Sequence, residues 1–90
     1  MIRRRYVFKG MVQGVGFRYH AKYHASALGL TGWVRNEYDG SVTLEVQGDE
    51  ASIDRLIVEL QADRYIDIMD FEVQTIPVDP EERRFSIAHA

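Results

Sequence analysis

A glycine-rich segment at residues 10–18 is the feature that most constrains what this chain can fold into. It holds three glycines and ends in Arg18, between an alternating apolar pattern and helix-forming sequence. Glycine tolerates positive φ, so such a loop lets successive N–H groups converge, and the start of a helix adds further free donors. Arg18 falls in the first helical turn, where its guanidinium suits a two-bond contact with phosphate or carboxylate. The segment predicts an oxyanion-binding loop between a strand and a helix.

Hydrophobic periodicity on both sides of the loop predicts the elements that hold it. Apolar and basic residues alternate before the loop, which indicates a first strand over residues 4–10. After it, apolar residues recur at steps of four and three, which indicates a helix over residues 17–28. The apolar positions of that helix are Phe17, Ala21, Ala25 and Leu28. Gly29 followed by Leu30 is typical of a helix that ends in a left-handed glycine.

The remaining residues predict a hairpin, a second helix and two more strands. Strands over residues 31–36 and 41–47 flank Asp39-Gly40, a hairpin signal, and are therefore expected to be adjacent and antiparallel. Residues 50–62 repeat apolar positions with helical spacing after Asp49, an expected N-cap. A fourth strand lies within residues 65–76, where the alternation changes phase and indicates a bulge or a preceding loop. Residues 84–87 predict a short last strand.

The order of these elements defines a fold class. A βαββαβ order with a short final strand predicts an α+β, ferredoxin-like sandwich, in which an antiparallel sheet carries two helices on one face. No composition shift, repeat or low-complexity tract divides the chain, so residues 1–90 are expected to form one domain. That domain is expected to act alone as a monomer.

Charge and cysteine content limit the classes of ligand and the cellular compartment expected for this protein. Residues 1–36 contain seven Lys or Arg and no acidic residue, whereas residues 37–90 contain four basic and fourteen acidic residues. The loop therefore lies in the basic part, which favours an anionic ligand unless the folded strands mix the charges. The net charge of −3 disfavours nucleic acid. The absence of cysteine, signal peptide and long apolar run predicts a cytoplasmic protein without membrane contact.

Several phosphate-binding classes do not fit the loop. No Gly-Lys-Ser/Thr closes it as in a P-loop, and Tyr19 stands where a dinucleotide fingerprint needs its third glycine. A phosphocysteine loop needs cysteine where this chain has Val12. No Asp, Glu or His cluster has convincing metal-ligand spacing. A phosphate cradle without a nucleophile suits water attack on a substrate with a good leaving group, and an acyl phosphate is one.

Two sequence blocks at a fixed spacing resemble the acylphosphatase family. The blocks are Gly10-Met11-Val12-Gln13-Gly14-Val15-Gly16-Phe17-Arg18 and Leu28-Gly29-Leu30-Thr31-Gly32-Trp33-Val34-Arg35-Asn36, followed by Asp39-Gly40. The resemblance is close from about residue 6 to residue 48 and weaker through the second helix to the last strand. It implies the same sandwich fold and a hydrolase that splits acyl phosphates into carboxylate and inorganic phosphate, the latter also an inhibitor. It implies no cofactor and no metal.

The resemblance also implies roles for individual residues. Arg18 and Asn36 would be catalytic: Arg18 would bind the phosphate, and the Asn36 amide would orient the attacking water. The backbone cradle for the phosphate would run through Gln13, Gly14, Val15, Gly16, Phe17 and Arg18. Some relatives have a hydroxyl residue after the catalytic asparagine; Glu37 stands there in this chain. Its carboxylate is expected to change the pH profile or weaken anion binding.

Two rival functions and two structural interpretations accompany this prediction. The same fold could hold phosphate or a carbamoyl-phosphate-like ligand without turnover, as acylphosphatase-like domains of larger maturation proteins suggest; the short chain favours the enzyme. An RNA-binding ferredoxin-like domain is disfavoured because its aromatic motif is missing. His20 and His24 are interpreted as a solvated helix face rather than as acid–base groups. Residues 3–5, all arginine, are interpreted as a solvated strand edge.

Overall fold

The glycine segment connects the first strand to the first helix, as the sequence predicts. In the computed structural model, which describes residues 1–89, the elements are β1 (Ile2–Met11), α1 (Phe17–Ala27), β2 (Thr31–Asn36), β3 (Val42–Gly48), α2 (Glu50–Ala62), β4 (Asp67–Ile76) and β5 (Phe85–Ile87). The bounds of β2 and α2 equal the predicted ones, and β1 is longer at both ends. None of the helices within residues 1–89 is long and apolar enough to cross a lipid bilayer.

The sheet is mixed because its last strand runs parallel to its neighbour. The strand order is β4-β1-β3-β2-β5, and the first four strands are antiparallel, as predicted. β5 instead pairs parallel to β2, with Gly32 opposite Phe85 and Val34 opposite Ile87. β4 and β5 lie at opposite edges, so the segment between them crosses the sheet. β5 begins at the end of the sheet where β4 ends, so it reverses the direction of β4 and runs in the direction of β2. The predicted sandwich is therefore confirmed, with a fifth strand that departs from the antiparallel pattern.

The core lies between one sheet face and the two helices. Strand alternation sends Phe8, Val34 and Leu44 to this face, where they are fully buried. They meet the apolar sides of α1 and α2, which contribute Phe17, Ala21, Ala25, Ile53, Leu56, Ile57 and Leu60. Phe8 and Phe17 pack with ring centroids 5.2 Å apart, at a tilted angle. This contact fixes the first turn of α1 against β1, on either side of the glycine segment.

The end of α1, the start of α2 and an irregularity in the β1–β4 pairing lie where the sequence predicts them. Leu30 N–H donates to the Ala25 carbonyl at 2.9 Å, and this bond with positive φ at Gly29 closes α1 as predicted. Asp49 caps α2 by accepting from Ser52 N–H at 3.3 Å. Along β4 the pairing with β1 shifts by one residue between Lys9 and Gly10. The shift is the bulge predicted from the change of phase, so the bulge interpretation is confirmed.

The arginines of β1 do not form a solvated edge. β1 lies inside the sheet between β4 and β3, and Arg3 is only 5% exposed. Its guanidinium contacts Glu45 at 3.0 Å and Glu82 at 2.8 Å. Gln47 exchanges two hydrogen bonds with the backbone of Asp79, which holds the crossing segment over this sheet face. The edge interpretation was wrong because β1 is paired on both sides, and Arg3 is not solvated because the crossing segment covers the polar face at this end.

Candidate active site

The loop between β1 and α1 presents several backbone donors without acceptors. From Gly14 to Tyr19 no backbone N–H finds a partner within residues 1–89; the first helical bond runs from His20 N–H to the Gly16 carbonyl. Gly14 and Gly16 have φ of +74° and +81°, in the left-handed region that favours glycine. Left-handed residues alternating with others turn successive N–H groups toward a common concavity, which suits an anion.

The start of α1 is free of competing negative groups. Gly16 is its N-cap and supplies no side-chain cap, and the first turn contains no acidic residue. An uncapped helix N-terminus carries partial positive charge from its free N–H groups, and Arg18 in this turn adds a full charge. Within residues 1–89 Arg18 has no ion-pair partner. The local electrostatics therefore favour an anion at this helix end.

One small cavity brings the two predicted catalytic residues together. It has a volume of about 120 Å³ and is lined by Val12, Gly14, Gly16, Phe17, Arg18, Tyr19 and Asn36. Arg18 and Asn36, 18 positions apart in sequence, thus share one concavity with the glycine loop. Of the six predicted cradle residues, Gln13 and Val15 are not among those that line it: Val15 packs against the core, and the Gln13 side chain contacts the β2–β3 turn.

Asn36 holds an unsatisfied polar atom at this cavity. It is the last residue of β2 and pairs with Val42 of β3, so two strands fix its backbone. Its Oδ1 is buried and has no hydrogen-bond partner within residues 1–89. A buried oxygen without a donor is costly, because it has given up its bonds to water. Because Asn36 lines a cavity that also contains Arg18, its side-chain amide is suited to bind a small hydrogen-bonding molecule such as water.

Gln13 links the glycine loop to the strand end that carries Asn36. Its Nε2 donates to the Glu37 carbonyl at 2.8 Å and to the Ser41 carbonyl at 2.9 Å. The same two carbonyls accept the Gly40 and Glu37 N–H groups inside the turn. The sequence-based prediction assigned Gln13 to the cradle through its backbone alone and missed this side-chain role. An amide side chain in a glycine-rich loop indicates a hydrogen-bonding role, but its partners become evident only when the loop and the hairpin are seen to lie close together.

Glu37 is held by groups other than those that line the cavity. Strand alternation puts the side chains of Asn36 and Glu37 on opposite sides. The Glu37 Oε2 accepts from the Thr43 hydroxyl at 2.6 Å and from Arg35 Nη2 at 3.0 Å. These bonds, the one from Thr43 first, hold the pKa of Glu37 below its ordinary value. The carboxylate next to Asn36 in sequence is therefore engaged by Arg35 and Thr43.

The two histidines join the helices. The His20 Nδ1 lies 3.1 Å from Asp63 Oδ2, and the His24 Nδ1 lies 3.0 Å from Glu59 Oε1. These contacts connect α1 to the C-terminal part of α2 and its cap. The face of α1 that carries the histidines is therefore not fully solvated, in contrast to the prediction. Neither histidine lines the cavity at Arg18. Their positions support the structural rather than the acid–base interpretation.

Folding mixes the charges of the two chain halves only in part. Four arginines of the basic half pair with carboxylates of the acidic half, namely Arg3, Arg4, Arg5 and Arg35. For Lys9, Arg18 and Lys22 the part of the chain from residue 1 to 89 supplies no ion-pair partner. Two of these three, Arg18 and Lys22, lie on α1. The positive charge expected near the loop is thus retained on this helix.

Fold and site together define a class of protein: an α+β sandwich with an anion-binding loop at a helix N-terminus. A model of the acylphosphatase family matches residues 4–87. An acylphosphatase of Clostridium perfringens is 44% identical over 87 residues, which are 96% of this chain and 98% of that protein. The chain therefore belongs to the acylphosphatase family and is an enzyme of that family.

Solved structures agree with this assignment. The crystal structure of acylphosphatase from Bacillus subtilis is similar with a TM-score of 0.90 and 31% identity, covering 98% of this chain and 99% of that one. Full-length HypF, in a phosphate- and nucleotide-bound form, is similar with a TM-score of 0.84 and 31% identity. That match covers 98% of this chain but 12% of HypF. The fold thus occurs both as a separate acylphosphatase and within a much larger protein.

Proposed function

We propose that this chain hydrolyses acyl phosphates to a carboxylate and inorganic phosphate by direct attack of water on phosphorus. The observation that carries the proposal is that Asn36, whose side-chain oxygen has no hydrogen-bond partner within residues 1–89, lines the same cavity as Arg18 and the glycine loop. The cavity therefore combines donors for a phosphoryl group with an amide side chain that can bind a water molecule. Family membership supports the same reaction.

The phosphoryl group is held by the loop and by Arg18. Free N–H groups between Gly14 and Tyr19 donate to its oxygens, and the Arg18 guanidinium adds two charge-assisted bonds. The proposal keeps the predicted cradle, in which the backbone N–H groups of residues 13–18 donate to the phosphate. Because these donors are fixed before substrate binds, they stabilise the charge of the transition state without reorganisation.

The attacking water is oriented by Asn36. Its side-chain amide holds the water by hydrogen bonding, which turns an oxygen lone pair toward phosphorus. An amide is not a strong base, so the proton is proposed to pass to a phosphoryl oxygen of the substrate. The new bond joins the water oxygen to phosphorus as the bond between phosphorus and the acyl oxygen breaks.

The leaving group departs as a carboxylate and takes the bonding electron pair. A carboxylate is a weak base, so its departure needs no general acid, and His20 and His24 have no part in the reaction. The products are the free carboxylate and inorganic phosphate. Phosphate then competes with substrate for Arg18 and the loop, so product inhibition is expected. The proposal uses no cofactor or metal.

One domain of residues 1–90, acting as a monomer in the cytoplasm, is the proposed working unit. Every residue that lines the cavity comes from a single stretch, 12–19, or from Asn36 in the neighbouring strand end. A site built within one chain supports activity without a second subunit. The absence of cysteine is compatible with a reducing compartment.

The test is hydrolysis of benzoyl phosphate in excess chelator by the wild type and by Asn36→Ala. The wild type is expected to turn over, and Asn36→Ala is expected to lose about 100-fold or more in kcat, because it removes only the contact to water. Inhibition by inorganic phosphate is expected to persist in the variant. Tyr38→Ala, a fully exposed side chain of the same turn, is the matched control and should retain activity.

An alternative function is phosphate or carbamoyl-phosphate binding without turnover. The observation that favours it is the similarity to a small part of HypF, which was solved with phosphate bound. A folded wild type that binds phosphate but hydrolyses no acyl phosphate would support this alternative and exclude the hydrolase. Equal loss of phosphate binding and turnover in Asn36→Ala would instead assign Asn36 a structural role.

A further inference from the structure

The cavity at Arg18 is small, with a volume of about 120 Å³. The loop N–H groups, Arg18 and Asn36 are proposed to hold the phosphoryl group and the attacking water there. With the phosphoryl group against the loop, a bulky acyl group points toward the cavity mouth. Residues at this mouth therefore meet the acyl group first.

Tyr19 is the exposed aromatic residue at this mouth. It lines the cavity together with Arg18 and Asn36, yet 74% of its surface is exposed. Tyr23 follows one helical turn later and is also 74% exposed. Residues at i and i+4 lie on the same helix face, so the two rings form one aromatic surface that leads away from the cavity.

Two shallow grooves flank this aromatic surface. One is lined by Tyr19, Tyr23, His20 and His24, and the other by Tyr19, Tyr23, Lys22, Ser26 and Ala27. Tyr19 is the residue that both grooves share with the cavity at Arg18. The contacts of His20 to Asp63 and of His24 to Glu59 fix the rotation of α1 against α2. The tyrosines are thereby held toward solvent beside the site.

We propose that Tyr19, with Tyr23 behind it, forms the surface on which the acyl group of the substrate lies. This inference rests on the proposed hydrolysis of acyl phosphates and specifies its substrate class. A flat, apolar acyl group such as benzoyl gains contact with the Tyr19 ring, whereas an acetyl group is too short to cover it. The enzyme therefore prefers aromatic or extended apolar acyl phosphates.

The contact is expected to act on binding rather than on chemistry. The Tyr19 ring is proposed to contact the acyl group rather than the reacting phosphorus, so it contacts substrate and transition state alike. Loss of such uniform binding raises KM and leaves kcat nearly constant. A KM effect confined to bulky acyl groups therefore distinguishes this role from a general disturbance of the site, which would lower kcat for every substrate.

The experiment compares kcat/KM for benzoyl phosphate and acetyl phosphate in the wild type and three variants. In Tyr19→Ala the ratio of the two values is expected to fall about two- to tenfold, through KM for benzoyl phosphate. Tyr19→Phe keeps the ring and should keep the ratio. Tyr65→Ala removes an exposed ring that lines none of these cavities, and should also keep it. Alanine is a good helix former, so α1 should persist.

The outcomes separate this inference from the function on which it rests. If the wild type hydrolyses both substrates and Tyr19→Ala leaves the ratio constant, the acyl surface is wrong and the hydrolase stands. If Tyr19→Ala instead lowers kcat for both substrates, Tyr19 supports the loop, and the inference is again overturned. If the folded wild type hydrolyses neither substrate, the proposed function fails and the acyl surface with it.

Discussion

The Gln13 side chain donates to the Glu37 carbonyl at 2.8 Å and so connects the glycine loop to the residue that follows Asn36. A second bond from the same Nε2 reaches the Ser41 carbonyl at 2.9 Å. These bonds join the part of the site that is proposed to hold phosphate to the part that is proposed to hold water. No other side chain within residues 1–89 donates to these two carbonyls, so this amide adds a direct connection between the two parts to the sheet pairing of β1, β3 and β2.

Gln13→Ala is expected to lower kcat by about tenfold or more, because small displacements between reacting groups are costly. Loss of two hydrogen bonds should also lower the free energy of unfolding by about 1–3 kcal/mol. Kinetics with benzoyl phosphate and urea unfolding measure the two effects. Gln61→Ala, an exposed glutamine of α2, is the control. A Gln13→Ala variant with wild-type kcat would contradict the alignment role.

Arg18→Ala should abolish inhibition by inorganic phosphate together with turnover. The substitution removes the only full positive charge among the residues that line the cavity, and a fall of about 100-fold or more in kcat/KM is expected. Arg18→Lys keeps the charge without the two-bond geometry and should be intermediate. Lys22→Ala, one turn along α1, controls for loss of helix charge. Phosphate inhibition that survives in Arg18→Ala would count against the assignment.

Arg3→Ala should destabilise the fold without a specific effect on the site. The side chain of Arg3 is buried between Glu45 and Glu82, so its removal leaves Glu82 without its ion-pair partner and leaves the buried Glu45 with Arg5 alone. A loss of about 3 kcal/mol in the free energy of unfolding is expected. Arg5→Ala is the matched control, because it also pairs with Glu45 from β1 but is about half exposed. That variant should cost no more than about 1 kcal/mol.

Urea unfolding at about pH 7 measures both variants. If Arg3→Ala and Arg5→Ala lowered the free energy of unfolding equally, burial of the Arg3 ion pairs would not contribute to stability. At temperatures where Arg3→Ala remains folded, its KM for benzoyl phosphate should equal that of the wild type. The reason is distance along the sheet, because Arg3 pairs with Gln47, at the end opposite to the β2–β3 turn.

Most of the fold could be predicted from short stretches of sequence, because each helix and strand is marked by residues within or next to it. The caps at Asp49 and Gly29, the hairpin at Asp39-Gly40 and the change of phase in β4 all act over a few residues, and each was predicted. The parallel β5 and the buried Arg3 were not. Both depend on the segment that crosses the sheet between β4 and β5, and no short-range pattern encodes where such a segment lies.

The candidate site likewise contains features that the sequence predicted and features that it did not. Arg18 and Asn36 were named from two sequence blocks, and the structure places them on one cavity, although their roles stay predictions. The link from Gln13 to the hairpin and the position of Tyr19 at the cavity mouth were missed. Each is a relation between side chains from distant or exposed positions, where residue type alone does not specify a partner.

The Thr43 hydroxyl lowers the pKa of Glu37, and this predicts a pH-dependent difference in stability. A carboxyl whose pKa is depressed on folding stabilises the protein above its ordinary pKa, here 4.5, and this stabilisation is lost as pH falls through the lower folded pKa. Thr43→Val keeps the shape and removes the largest cause of the shift. The variant should therefore be less stable than the wild type at neutral pH, and the difference should shrink in acid.

Urea midpoints of the wild type and Thr43→Val, measured from about pH 7 down to about pH 3, test this linkage. The same substitution in a Glu37→Gln background is the control, because without the carboxyl there is no group whose titration Thr43 can shift. In that background the difference in stability between the threonine and valine forms should be constant with pH. A constant difference in the presence of Glu37 as well would mean that the hydroxyl does not stabilise its charged form.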